Sequence, residues 1–409
     1  MNTASSNATS ASSTIHPIAL LSRYAGTLAI AALAASCTIA PRLPSAGTEQ
    51  EPSRARLQRV AFSEIPGWTT DTLFAALPAF VAECPVLIAR AETTAIWRDI
   101  CATANGSALA DEASVRAFFE LHFTPYRVSD TGGREIGMVT GYYEPLLRGS
   151  RRPDERFRYP LYAPPDDLLS VELSELLPEL KNKRVRGRVE DKRIVPYWAR
   201  GDIDAGLAPL RGKELVWVDD ALDAFFVQIQ GSARVSLAEG GSMRIGYADQ
   251  NGRAYRPIGQ ILVERGELEL ESVTMQSIRQ WARAHPDELP SLLAENPSYV
   301  FFREVVPDPA APIDGPIGSL GVPLLAQRTI AVDPRAIPLG TPVFLATTFP
   351  LTERPLARLV MAQDSGGAIR GALRADFFWG FGDEAGEQAG RMRQPGRMWI
   401  LWPKGVPLP

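Results

Sequence analysis

The sequence predicts a mainly β protein with some helix. Thirty-four Pro and 33 Gly are spread along 409 residues, which favours short strands and turns over long helices. From Tyr126 onward, short apolar runs bounded by Gly or Pro dominate, as in GMVTGYYEPLLRGS and TPVFLATT. Helical spacing comes in short runs. The length leaves room for two or more domains.

Composition excludes several classes of function. The chain is 45% hydrophobic and 22% charged, which is ordinary for a globular protein. A net charge of −4 gives no footprint for nucleic acid, so no such partner is expected. Three His and three Cys argue against a His-based triad and a zinc site. No metal and no cofactor is expected.

Taken in order, residues 1–24 are rich in Ser, Thr, Asn and Ala, and AGTLAIAALAAS then leads to Cys37. That dozen is too short to span a bilayer but suits the core of a signal peptide. LAASC resembles a bacterial lipobox, so residues 1–36 read as a lipoprotein signal peptide with lipidation at Cys37. Acyl chains there would hold the protein to a membrane surface. Thr38 after the Cys, in place of Asp, suggests the outer membrane by analogy with Gram-negative lipoproteins. Residues 37–56 read as a flexible tether.

Three helical patterns follow, at Asp71–Cys84, Glu92–Ala102 and Ala113–His122. A hairpin of the first two could join Cys84 to Cys101, since an exported protein meets an oxidising compartment. In the strand around Gly137–Pro145, Tyr142 and Tyr143 point to opposite faces. One of them can face a cleft and stack on a sugar ring, or simply dress a sheet surface. The run KNKRVRGRVEDKR reads as a solvated hairpin or loop. LVWVDDALDAFFVQIQGSARVSL reads as strand, helical turn, strand, with Gln228 and Gln230 on one face beside Gly231 and Ser232. Asn251-Gly252 signals a hairpin joining Met243–Ala248 to Ala254–Tyr255. Pro257 opens a helix over Ile258–Glu264. Helices over Met275–His285 and Asp287–Ala294 precede a strand at 299–304. The Pro-rich stretch 305–318 marks a domain crossing. The last part is β-rich, with a helix over Asp383–Arg391 whose face of Gly382, Gly386 and Gly390 suits tight packing.

Chemistry points to three aspartates. Asp364 ends the apolar strand LVMA, and Asp376 follows twelve residues later before Phe377-Phe378-Trp379. Asp333 closes another strand. Asp often ends a strand merely to start a turn. Clustered instead, with Phe377 and Trp379 covering them, the carboxyls would resist ionisation and one would hold a proton near neutrality. Such an acid can protonate a glycosidic oxygen. Asp364-Ser365-Gly366 also matches an aspartic-protease tripeptide, but no second copy is present.

GYYEP, QGSARVSL, GYADQNGRAYRPIGQILVERGEL, NPSYVFFRE, AVDPRAIPLGTPVFL, AQDSGGAIRG, RADFFWGFGDEAGEQAG and RMWILWP together resemble the membrane-bound lytic transglycosylase A family of bacterial lipoproteins. They cover most of residues 135–403 in the family's order. The resemblance implies a discontinuous double-psi β-barrel catalytic domain, 57–145 with 305–409, its last third a three-aspartate module. A second β domain, 146–304, would be inserted as the other wall of a glycan groove. Asp376 matches the family's acid/base, with Asp364 and Asp333 as its neighbouring aspartates. Tyr142, Tyr143, Gln230, Ser232, Tyr247 and Arg256 lie in motifs that imply glycan binding. The loop between Asp364 and Asp376 is one residue longer than in the best-known members, so Ala372–Arg374 is expected to shape the groove differently. The implied activity cleaves the MurNAc–GlcNAc bond of peptidoglycan and leaves a 1,6-anhydroMurNAc end. The competing readings are a hydrolytic glycosidase on the same barrel, a non-catalytic wall-binding module, and a lipoprotein that scaffolds other cell-wall enzymes. The implied location is the periplasmic face of the outer membrane.

Overall fold

The computed structural model describes residues 55–90, 93–106, 108–177, 185–306 and 312–409. The expected signal peptide, the lipidation at Cys37 and the tether up to residue 54 lie outside them. Among the described residues no helix is long and apolar enough to cross a membrane.

Six strands close on themselves. In chain order they are β3 (Gly137–Glu144), β13 (Thr329–Val332), β14 (Pro342–Thr348), β15 (Pro355–Asp364), β16 (Arg374–Phe381) and β17 (Arg393–Pro403). The order around the ring is β17-β14-β15-β13-β16-β3, and β3 pairs back onto β17. The pairs β13–β15 and β16–β3 are parallel and the others antiparallel. A closed six-stranded barrel with two parallel pairs is consistent with the expected double-psi architecture. Two further strands, β1 (Arg56–Arg59) and β2 (Phe123–Ser129), extend the sheet from β17.

Alternation along the strands builds two cores. Val343, Leu345, Val360, Ala362 and Ile400 belong to one, with Phe377 and Trp379. Their neighbours Phe344, Leu359, Met361, Trp399 and Leu401 face the other way. There they meet a helical cap of α1 (Leu77–Ile88), α2 (Thr94–Ala104) and α3 (Glu112–His122). Strands buried on both faces must be apolar at every position, which is why VFL, LVMA and WILW run without a polar break. Phe80 packs edge-on against Phe118, Phe119 and Phe123 in this cap. Asp111 caps α3 by accepting from the Ser114 N–H at 2.8 Å. The Cys84–Cys101 disulfide joins α1 to α2, with Cα atoms 5.7 Å apart.

A second sheet lies between β3 and β13 in the chain. It comprises β4 (Leu146–Ser150), β5 (Tyr159–Tyr162), β9 (Glu214–Val218), β10 (Ser232–Leu237), β11 (Ser242–Gln250) and β12 (Val300–Val305). A smaller sheet holds β6 (Leu169–Val171), β7 (Val185–Glu190) and β8 (Arg193–Pro196). The β7–β8 hairpin is the form taken by the described part of the basic run. The remaining helices are α4 (Arg200–Asp204), α5 (Ala221–Gln230), α6 (Ile258–Glu264), α7 (Met275–Ala284), α8 (Leu289–Ala294) and α9 (Gly382–Arg391).

Two local expectations are corrected. Residues 221–230 form a helix and not a turn and strand. Asp220 caps it by accepting from the Asp223 N–H, and Gly231 ends it at φ +81°. A helix advances about 100° per residue, so Gln228 and Gln230 do not share a face. The second correction is the Asn251-Gly252 hairpin. β11 pairs with β12, some fifty residues on, and not with 254–255. Asn251 is buried, donates to Trp198 O and Pro297 O, and accepts from the Tyr299 N–H. Its amide locks three loops, a use that local turn statistics do not see.

The glycine face of α9 packs closely at two of its three positions, Gly386 against β3 and Gly390 against α7, where a Cβ would lie 3.3 Å from Gln276. A Cβ on Gly386 would lie 2.8 Å from the ring of Tyr143, while Gly382 meets nothing. Gly141 is equally confined, since a Cβ there would come within 2.9 Å of the Ala389 Cα and within 2.7 Å of Trp379.

Glu83 is wholly buried between α1 and the barrel, where Gln363 donates to it at 3.1 Å. Burial pushes its carboxyl up to about 8, against the pull of Gln363 and Arg90. The folded state therefore binds this proton more tightly than the unfolded chain. Stability from Glu83 is full below about pH 4.5 and is lost progressively up to about pH 8. Glu83→Gln, which mimics the neutral acid, is expected to remove that loss. Its melting temperature relative to wild type should rise from pH 5 to pH 8.5. A difference that stays flat across that range would contradict a buried neutral acid.

Candidate functional site

The barrel brings two of the three aspartates together. Asp376 lies on β16 with Thr140 of β3 beside it and Ala331 of β13 on the other side. Ala331 also pairs with Asp364 at the end of β15. Both residues are half-buried, and the carboxyl groups themselves are enclosed by protein.

Their surroundings differ. Asp364 accepts four hydrogen bonds: from Ser319 N–H at 2.9 Å, Ser319 Oγ at 2.8 Å, Ser365 N–H at 2.9 Å and Tyr142 Oη at 3.1 Å. Asp376 accepts one, from Thr140 Oγ1 at 2.6 Å. Thr140 in turn accepts from Arg374 Nη2 at 2.8 Å. Burial pushes both carboxyls above the usual carboxylate range. At Asp376, the Thr140 hydroxyl and the Arg374 charge pull the other way, and the Asp364 charge adds to the rise. The four donors on Asp364 stabilise its anion. Asp376, with one donor and a carboxylate neighbour, is the better holder of a proton.

Asp333 does not share in this. The guanidinium of Arg335 grips it with two bonds of 3.0 and 2.9 Å, and the Gly371 N–H donates at 2.8 Å. Burial pushes its carboxyl up, but these donors outweigh burial and hold it below the ordinary range. Of the three expected to share one acidic cluster, Asp364 and Asp376 act on each other, while Asp333 is charge-balanced by its own donors. Asp333 ties the loop after β13 to the loop before β16, and an anion with strong donors keeps its charge.

The aromatic cover also differs from the expectation. Phe377 and Trp379 point into the barrel core. Side chains alternate, so Phe378 shares the face of Asp376. Phe378 forms a small apolar floor with Tyr142, Leu324, Ala331 and Ile369, and its ring lies 5.1 Å from that of Tyr142.

Of the residues linked with glycan binding, Tyr142 reaches the aspartates. Tyr143 is corrected to a core residue, pressed under α9 on the opposite face of β3. Gln230 accepts from the Tyr143 N–H at 3.0 Å, so it ties the end of α5 to β3. Ser232 is buried at the start of β10. Tyr247 is half-buried at the bulge of β11, opposite Phe302. Arg256 is engaged by Glu264 at 2.7 Å and Glu295 at 2.9 Å, so its charge is already balanced.

Sequence reasoning passed over Thr140 and Ser319, since Thr and Ser are common in strands and loops, and placed Arg374 in the loop before Asp376 without a role towards it. It also passed over Glu144, which is fully buried. Arg234 at 2.8 Å and Arg244 at 3.0 Å pair with it, and both also bind Asp314. This network pins the end of β3 to β10, β11 and the stretch after β12. Among the described residues no His, Cys, Asp and Glu group suits a metal ion.

The guanidinium of Arg374 pulls the Asp376 carboxyl down, so Arg374→Met is expected to move its titration midpoint upward. Carboxyl carbon NMR of labelled Asp reads this directly, and Asp364 should move less. An unchanged midpoint would remove Arg374 from the electrostatics of the site.

Comparison with known proteins places this geometry in context. Residues 138–303 match the MltA specific insert domain, and residues 328–402 match the 3D domain. Over 277 residues the chain is 34% identical to membrane-bound lytic murein transglycosylase A of Escherichia coli strain K12, covering 64% of each protein. The chain thus spans just under two thirds of the length of that curated relative. Among solved structures, it is 46% identical to the lytic transglycosylase LtgG of Burkholderia pseudomallei, covering 87% of this chain and 97% of that one, with a TM-score of 0.57. It is 38% identical to MltA from Neisseria gonorrhoeae in a monoclinic form, covering 87% and 97%, with a TM-score of 0.74.

Proposed function

The chain belongs to the MltA family, and from that premise we propose that it is a lytic transglycosylase of peptidoglycan. Asp376 acts first as acid and then as base. Protonated, it gives its proton to the glycosidic oxygen between MurNAc and GlcNAc, and that C1–O bond breaks with oxocarbenium character at C1. Asp376, now an anion, takes the proton of the C6 hydroxyl of the same MurNAc as that oxygen bonds to C1. A 1,6-anhydro ring closes and Asp376 is protonated again. The attacking hydroxyl is held within the substrate, so its effective concentration is high.

One observation carries this reading over a hydrolase. A hydrolase needs a second carboxylate to attack C1 or to activate water. Here Asp364 already holds four donors and Asp333 is gripped by Arg335. Tyr142 and Phe378 belong to a buried apolar cluster beside the acid, which keeps water from one side of it. Asp364 positions Tyr142 and places negative charge near C1, where positive charge develops.

In this reading 57–145 and 305–409 form the catalytic barrel, and 146–304 forms the facing wall of the groove. The lipid on Cys37 and the periplasmic face of the outer membrane complete it, supported by the lipobox pattern and by the name membrane-bound carried by the Escherichia coli relative.

Asp376→Asn is expected to lower release of muropeptides from sacculi by roughly 10²- to 10⁴-fold, the usual contribution of a general acid. The fold should be unchanged by circular dichroism. Mass spectrometry of wild-type products should find 1,6-anhydroMurNAc ends. Reducing MurNAc ends would make the protein a hydrolase, and an active Asp376→Asn would make another group the acid.

A further inference from the structure

A hollow of about 730 Å³ opens between the stretch before α1, the segment leading into β13 and the start of β15; neither Asp364 nor Asp376 lines it. Its walls include Asp71, Gln327, Arg328, Phe349 and Arg358. Its charge is unbalanced. Asp71 is fully used, since Arg328 binds both its oxygens at 2.8 and 2.9 Å and the Leu359 N–H donates at 2.7 Å. Arg358 has no carboxylate within ion-pair distance among the described residues. Its Nη1 donates to Gln327 Oε1 at 2.5 Å. Arg354 lies over the ring of Phe349, 3.7 Å from its centre, and it too lacks an ion-pair partner among the described residues.

Like charges have been gathered here at a cost. Arg358 is half-buried, and its pKa falls through burial first and then through the charge of Arg328; Asp71 partly offsets this, and Arg354 adds to the fall. Gln327, which steadies Arg358, has φ +60°, a conformation that costs a non-glycine residue free energy. Its N–H donates to Phe378 O at 2.7 Å, which fixes it to the strand that carries Asp376. A strained residue holding a cation that has no direct ion-pair partner in a hollow is the arrangement expected of an anion site. The planar guanidinium of Arg358 suits a carboxylate, and Phe349 supplies an apolar surface beside it.

We propose that this hollow binds the carboxylate-bearing stem peptide of peptidoglycan, as a subsite separate from the aspartate pair. The inference rests on the proposed peptidoglycan substrate, whose stem peptides carry several free carboxylates. The volume lies in the range of small-ligand pockets, roughly 300–1,000 Å³. A subsite there would favour strands that still carry peptides over bare glycan.

The test is isothermal titration of the full chain with a free stem tetrapeptide at low and high salt. Saturable binding that weakens with salt is expected, unchanged in Asp376→Asn. Arg354→Gln and Arg358→Gln should each weaken it by about tenfold or more, the effect of one charged hydrogen bond. Arg354 is exposed, so its variant tests the site even if the Arg358 variant folds poorly. Turnover of peptide-free glycan should be equal in wild type and both variants, while KM for peptide-bearing strands rises in the variants. Absence of saturable binding, or equal binding by the Arg354 variant, would overturn the proposal. So would displacement of the peptide by equimolar acetate, which would mean a non-selective anion site. None of these outcomes alters the product analysis on which the proposed reaction stands.

Discussion

Strand β3 lies parallel to β16, and that pairing sets Thr140 beside Asp376 and Tyr142 beside Phe378. The hydroxyl on Asp376 and the phenol on Asp364 both come from residues more than 200 positions away in sequence. Without β3 the barrel would be open between β16 and β17. The site and the closure of the fold are thus one structural event.

The far end of β3 is held by charge. Glu144 is fully buried, and a buried carboxylate is costly unless paired and hydrogen-bonded. Arg234, Arg244 and Asp314 complete the network, with Arg234 also stacked over Phe381 at 4.0 Å. These residues come from β3, β10, β11 and the segment after β12. The network therefore determines where the second sheet stands with respect to the barrel end that carries the aspartates. Gln230, bonded to the Tyr143 N–H, adds a neutral link between the same parts.

The same carboxyl group takes three roles in this protein because its surroundings differ. Asp333 is a structural anion, with a bidentate guanidinium and an N–H donor. Asp364 is an acceptor for four donors and holds Tyr142 in place. Asp376 has one donor, a nearby like charge and little water.

The sequence by itself determined the material of the barrel. The unbroken apolar runs at 343–345, 359–362 and 398–401 mark strands buried on both sides, and the motif order carries the family. It also held the disulfide, the α9 glycine face and the two aspartates, because each depends on local spacing. It misjudged 221–230, where β-branched and aromatic residues read as a strand. Asp220 and Gly231 instead cap a helix packed on the second sheet. It misjudged Asn251-Gly252, whose turn preference gave way to a buried amide with three partners. Only the tertiary structure gave Asp333 its own guanidinium partner, put Phe378 and not Phe377 beside the acid, and brought Thr140 and Arg374 to it. Spacing along the chain reports which face a residue takes. Hydrogen bonds and burial from strands two hundred residues apart decide which carboxyl keeps its proton.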